Sequence, residues 1–323
     1  MTDHVLSRRV ALSLFAVVAV AWGLNWVVTK ALVQSVSPLW TTTLRSAIAT
    51  VALFAVLLAR GQLVVPRRGD LPVIFTVAVL HMGAFSVLVC FALQIVPVGR
   101  SIVLGYTTPL WVAPAAWLLL GEKVSAQRLA GIALGLAGIA IMFNPLAFDW
   151  SNRSALIGNG LLLIGALCWA ANIVYVRSHV WISSPFQLVF WQALLATVLL
   201  AAISLGHDGV PHIVWTGDLV GGFLFAGVIG TALAHWAMVL INRSLPATVT
   251  SLGLLATPVM GVAASALLLG EAASLSLLAA MAMILGGIGL GTVAFGRRIG
   301  IVTRKAVADA VRNRLRRPTT ANP

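Results

Sequence analysis

Read along the chain, apolar residues come in long blocks and not at the spacing of a one-sided surface helix. Ten blocks stand out, at 10–30, 39–59, 71–95, 99–121, 124–143, 156–176, 186–205, 219–241, 247–270 and 274–295. A bilayer core is about 30 Å thick, and a helix needs about 20 apolar residues to cross it. Backbone groups in lipid must bond within their own segment, so the blocks predict helices and not strands. The expected fold class is all-α: a polytopic membrane protein with ten transmembrane helices. The run after Arg8 and Arg9 carries Trp22, Asn25 and Trp26 and is too long for the core of a cleaved signal, so it reads as the first span.

Composition agrees. Of 323 residues, 60% are hydrophobic and 9% charged, where a soluble domain has about 25% charged. The net charge of +13 raises nucleic acid as a partner, but its placement argues against one. With a cytoplasmic N-terminus, seventeen of the twenty-one Lys and Arg fall on the cytoplasmic side, eight of them in the tail. That positive-inside bias predicts both termini in the cytoplasm and places the chain in the cytoplasmic membrane. The tail, with Val307, Val311 and Leu315 at helical spacing, either lies along the anionic inner leaflet or is a disordered topogenic segment. Cys90 and Cys168 fall inside spans and read as packing residues, with no disulfide and no metal site.

The chain also resembles itself. Residues 97–122 and 246–271 align without a gap at an offset of 149, matching Pro97 to Pro246, Pro109 to Pro258, Gly121 to Gly270 and Glu122 to Glu271. At an offset of 147, Trp22 matches Trp169, Asn25 matches Asn172 and Pro38 matches Pro185. Each half then holds five helices. Five is odd, so the second half enters from the opposite face, and inverted repeats are the build of many secondary transporters. The expected organisation is a cytoplasmic N-terminus at 1–9, a first repeat at 10–143, a linker at 144–155, a second repeat at 156–296 and a basic tail at 297–323.

The Trp-x-x-Asn element of helices one and six, and the strings TPLWVAPAAWLLLGE and TPVMGVAASALLLGE that close helices four and nine, resemble the drug/metabolite transporter superfamily and its EamA-type branch. The resemblance covers residues 10–296. It implies a cavity lined by helices one, three, four, six, eight and nine, flanked by two and seven, and export of amino acids or other metabolites.

Several residues could carry such a function. Trp22, Asn25, Trp26 and Thr29 share a helical face at i, i+3, i+4 and i+7. Asn25 and Asn172 must face protein or water, since an unpaired amide in hydrocarbon is costly. They bond to neighbouring helices or line a cavity, where inversion makes them candidates for opposite gates. Pro109 and Pro258 lie about 18 Å from a membrane face, near the midplane. There a proline kinks a helix, as a structural bend or as a hinge. Phe85, Tyr106, Trp111, Trp169, Tyr175 and Trp236 sit at pocket depth. His81 and His235 are ionisable groups inside spans, functional candidates or neutral hydrogen-bonded residues. Arg45 lies about 9 Å from the outer end of helix two. It either snorkels to the interface or meets a substrate carboxylate, and snorkelling is the favoured expectation. Gly131/Gly135 and Gly287/Gly291 have the spacing of close helix contacts, within the scaffold or in a homodimer.

No carboxylate lies mid-membrane, which disfavours proton-coupled export of cationic drugs. The chain shows no nucleotide-binding loop, no metalloprotease motif and no catalytic triad, so no enzyme and no cofactor is expected. The function expected is export of small metabolites, namely aromatic or hydrophobic amino acids or related amphipathic compounds, with a small-molecule substrate and the lipid bilayer as partners. The alternatives are export of drugs, nucleotide-sugars or other anions, and a non-transporting membrane scaffold or receptor.

Overall fold

The computed structural model describes residues 6–121, 125–143, 151–245 and 253–290. Among them every regular element is helical. The linker at 144–150, Glu122, Pro246 and the basic tail lie outside the described residues.

Ten helical stretches follow one another. They are α1 (Arg8–Ser35), α2 (Pro38–Ala59), α3 (Leu71–Thr76, Val77–Phe85 and Ser86–Ile95), α4 (Val98–Gly105 and Thr108–Leu120) and α5 (Ala126–Phe143). Then come α6 (Arg153–Ser178), α7 (Pro185–His207), α8 (Gly217–Leu224, Phe225–Leu233 and Ala234–Ser244), α9 (Ala256–Leu269) and α10 (Leu275–Leu290). Among the described residues, seven spans are long and apolar enough to cross a bilayer, and three further apolar helices are shorter. Val51, Leu119, Leu267 and Leu275 point outward and are exposed. Such a surface suits lipid, and the chain is a multi-pass membrane protein.

Local chemistry sets the helix ends. Ser37 and Ser184 cap α2 and α7, and Pro38 and Pro185 open those helices, where a missing N–H costs nothing. The Ser-Pro pairs explain one of the sequence matches. Gly121 and Gly270 end α4 and α9 in the left-handed region, both at φ 66°, which glycine enters without penalty. Beyond Gly270, Glu271 accepts hydrogen bonds from the backbone N–H of Val98 (2.8 Å) and Gly99 (3.0 Å), so it closes the free start of α4.

The two prolines differ from expectation in how they act. A kinked but continuous helix four was expected at Pro109. Instead α4 is broken at Tyr106 and Thr107, and Pro109 sits in the first turn of the second piece. Pro258 is buried in the first turn of α9, after a turn at Leu254 and Leu255.

Helices approach closely where glycines face each other. A Cβ on Gly23 of α1 would lie 2.8 Å from the Gly261 backbone nitrogen of α9. A Cβ on Gly287 of α10 would run into the Gly131 carbonyl and the Gly135 nitrogen of α5. The glycine stripes of α5 and α10 therefore pack against each other within one chain. Between α2 and α7, hydroxyls bond across the interface: Thr43 with Ser204 (2.8 Å) and Thr197 with Ser46 (2.8 Å).

Candidate functional site

A cavity of about 180 Å³ opens at the middle of the bundle. From α1 it takes Trp22, Asn25, Trp26 and Thr29, the whole face read from the sequence. The same spacing recurs in α2, whose Thr42, Arg45, Ser46 and Ala49 also line it. The wall is completed by His81, Met82, Phe85, Ser86 and Val89 of α3, Tyr106 at the break of α4, Trp169 of α6, Ala193 of α7, and Gly230, Thr231 and His235 of α8.

Aromatic rings form a connected wall. His81 stacks on Trp169 at 5.3 Å between ring centroids and 11° between planes. Phe85 lies 5.0 Å from Trp169 and 5.8 Å from His81. Tyr106 meets Trp169 edge-on at 6.1 Å and Trp26 at 6.5 Å. The Trp26 ring in turn sits where a Cβ on Gly105 would be, 2.8 Å from that position, so only glycine admits it there. On the other side Trp22 and His235 meet edge-to-face at 5.9 Å. Pairs of this geometry hold one another in place.

Two π-helical segments shape the wall, Val77–Phe85 in α3 and Phe225–Leu233 in α8. Such wide turns are rare and recur at functional sites. The first carries His81, Met82 and Phe85. The second carries Gly230 and Thr231, whose carbonyls accept from Trp22 Nε1 (3.1 Å) and His235 Nδ1 (2.6 Å). With a proton on Nδ1, a neutral His235 has Nε2 left as an acceptor.

Most polar groups on the wall are already engaged. The hydroxyls of Thr29 and Thr42 donate to the carbonyls of Asn25 (2.6 Å) and Pro38 (2.8 Å). Asn25 Oδ1 is buried without a partner beside Gly230. Arg45 is half-buried and, among the described residues, makes no hydrogen bond or ion pair. Among the described residues the lining contains no Asp or Glu, and no described cluster of His, Cys, Asp and Glu could hold a metal ion.

Of the expected site residues, Trp22, Asn25, Trp26, His81, Phe85, Tyr106, Trp169 and His235 are brought together. Asn172 is buried away from the cavity, with its Oδ1 unpartnered. Pro109 and Pro258 stand outside the lining. Trp111 bonds to Thr107 (3.2 Å), Tyr175 stacks near His179, and Trp236 packs under Arg60, so none of the three reaches the cavity. Arg45 was expected at the interface and instead faces inward. Helix two was expected only to flank the cavity, yet it supplies four lining residues, and α9 supplies none among the described residues.

The model of the EamA-like transporter family matches the chain twice, over residues 9–144 and 156–292. The chain belongs to the EamA-like transporter family. Its curated relatives include the uncharacterized transporter YoaV of Bacillus subtilis (strain 168), 26% identical over 87% of this chain and 96% of that protein. A probable amino-acid metabolite efflux pump of Salmonella typhimurium is 27% identical over 86% of this chain and 93% of its own length. A solved structure described only as a crystal structure of a protein superposes at a TM-score of 0.61, with 23% identity, over 91% of this chain and 99% of the other. That likeness speaks for the fold. The family and these named relatives are transporters and not enzymes.

Proposed function

We propose that this EamA-like protein is a secondary transporter that exports small metabolites across the cytoplasmic membrane by alternating access. Its substrates are aromatic or hydrophobic amino acids or related amphipathic compounds. The observation that carries the reading is the continuous aromatic wall formed by Trp26, Tyr106, His81, Phe85 and Trp169. Rings on all these helices offer stacking surface and little charge, the chemistry that holds a solute with one apolar end. The relative named as an amino-acid metabolite efflux pump supports the same class and direction.

In this reading the ten helices are two inverted five-helix repeats with both termini in the cytoplasm. Support comes from the paired features: Trp22/Asn25 and Trp169/Asn172, the π segments of α3 and α8, and the glycine ends of α4 and α9. Two halves of like structure and opposite sense can exchange conformations around a fixed site, which turns one opening into the other. Pro109 and Pro258 act as hinges beside that site.

Release from loaded liposomes tests the proposal. Vesicles holding a mixed pool of amino acids, nucleosides and small amphipathic compounds are followed by mass spectrometry. The expected result is selective release of a few aromatic or hydrophobic compounds, reduced about tenfold or more in Trp22→Ala, Tyr106→Ala or Trp169→Ala protein that still folds. Unchanged release in all three variants would remove the aromatic wall from the pathway.

A further inference from the structure

The described lining of the cavity carries one fixed charge, and the proposed function does not use it. Arg45 is permanently cationic. It lines the cavity beside aromatic, hydroxyl and imidazole side chains, and among the described residues it has no acidic side chain on the wall, no hydrogen bond and no ion pair. A charge left unpaired in such surroundings is costly, and charged residues within spans that face a cavity mark substrate pathways. The Thr29 and Thr42 hydroxyls donate to carbonyls of their own helices and keep acceptor lone pairs, yet Arg45 forms no hydrogen bond with either. Arg45 therefore remains the cavity's strongest free donor. Its planar fork matches a carboxylate, which accepts two parallel N–H bonds.

We infer that Arg45 binds the carboxylate of an aromatic acid whose ring lies against Trp169, His81 and Phe85, and that the transported species is a monoanion lacking a free ammonium group. This inference rests on the carrier reading and, of the two substrate groups named there, selects the related amphipathic compounds over free amino acids. The charge argument is direct. An ammonium group brought into this cavity meets a fixed cation and, among the described lining residues, no carboxylate, and like charges repel. A free amino acid would bring such a group, while a 2-oxo acid or an N-acylated amino acid would not. A single arginine also fits one negative charge better than the two or more of a phosphate ester or a nucleotide-sugar. The cavity, at about 180 Å³, falls below the roughly 300–1,000 Å³ of pockets for drug-sized ligands, which suits one ring with a short acidic arm.

The test compares phenylpyruvate, phenylalanine and phenyl phosphate, which share a ring and differ in charge. Binding to the purified full-length protein in detergent is measured by equilibrium dialysis, and flux is measured separately in liposomes. Phenylpyruvate is expected to bind about tenfold or more tighter than phenylalanine. Arg45→Gln is expected to remove that preference, and Arg45→Lys to restore part of it by returning the charge without the fork. Equal or tighter binding of phenylalanine or phenyl phosphate, or no binding of phenylpyruvate, would overturn the inference. So would an Arg45→Gln protein that keeps the preference. Binding that follows Arg45 without any flux would support this assignment and count against the carrier reading, so the two failures are told apart.

Discussion

Gly230 is the residue on which the α1 side of the cavity turns. Its carbonyl holds the Trp22 indole, and a Cβ at its position would come 2.5 Å from Asn25 Oδ1. In an ordinary helix Gly→Ala raises stability by about 0.5–1 kcal/mol. Here Gly230→Ala must displace the Asn25 amide, which is the far end of a movable side chain. The expected outcome is an unchanged or slightly raised unfolding temperature with transport reduced about tenfold, read by thermal unfolding and by liposome flux on one preparation. Unchanged flux would mean that Asn25 takes no part. At this scale the sequence was a good guide to α1, because a mid-membrane Trp-x-x-Asn-Trp has few apolar faces on which to hide. It misled at Arg45. Nearness to a helix end suggested snorkelling, yet Thr42, Arg45, Ser46 and Ala49 repeat the spacing of the α1 face, and that period was the signal for an inward arginine.

Between residues and bundle, the break in α4 shows how a short string sets geometry. In a continuous helix the Gly105 carbonyl would accept from the N–H of residue 109. Proline has none, and the Thr108 hydroxyl takes the carbonyl instead at 2.9 Å. Tyr106 is thereby turned into the cavity at the break. Pro109→Ala restores the missing donor and favours a joined helix. Its expected effect is retained folding with flux lowered about tenfold, measured against the wild type in the same vesicles; full flux would show that the break needs no proline. The position of the proline was plain in the sequence. Kink and break were not distinguishable there, since both begin with the same lost hydrogen bond and the side-chain rescue by Thr108 decides between them. The π segments were invisible for a related reason. Val77–Phe85 and Phe225–Leu233 are as apolar as the α-helix around them, and hydropathy does not record how many residues make a turn.

For the molecule as a whole, the blocks of apolar residues and the few charges were enough to read a multi-pass helical membrane protein, and the EamA-like family model matches residues 9–144 and 156–292. The glycine spacings left open whether α5 and α10 pack a scaffold or a second copy; Gly287 of α10 meets Gly131 and Gly135 of α5 within one chain. Long-range placement escaped the sequence. Asn172 matches Asn25 by position, yet it is buried away from the cavity while Asn25 lines it. A pattern repeated in two halves fixes which residues correspond, but not which of them face the centre in a given conformation.

The central claim is that the cavity carries its solute from one face of the membrane to the other in alternation. Counterflow tests it most directly. Vesicles are preloaded with an unlabelled solute identified in the release experiment and diluted into a trace of the same solute carrying a label. A carrier that alternates exchanges inside for outside solute, so label accumulates transiently above its equilibrium level. The account predicts that overshoot for the wild type and its loss in Trp169→Ala. Label that only rises smoothly to equilibrium, or none entering above empty vesicles, would contradict it.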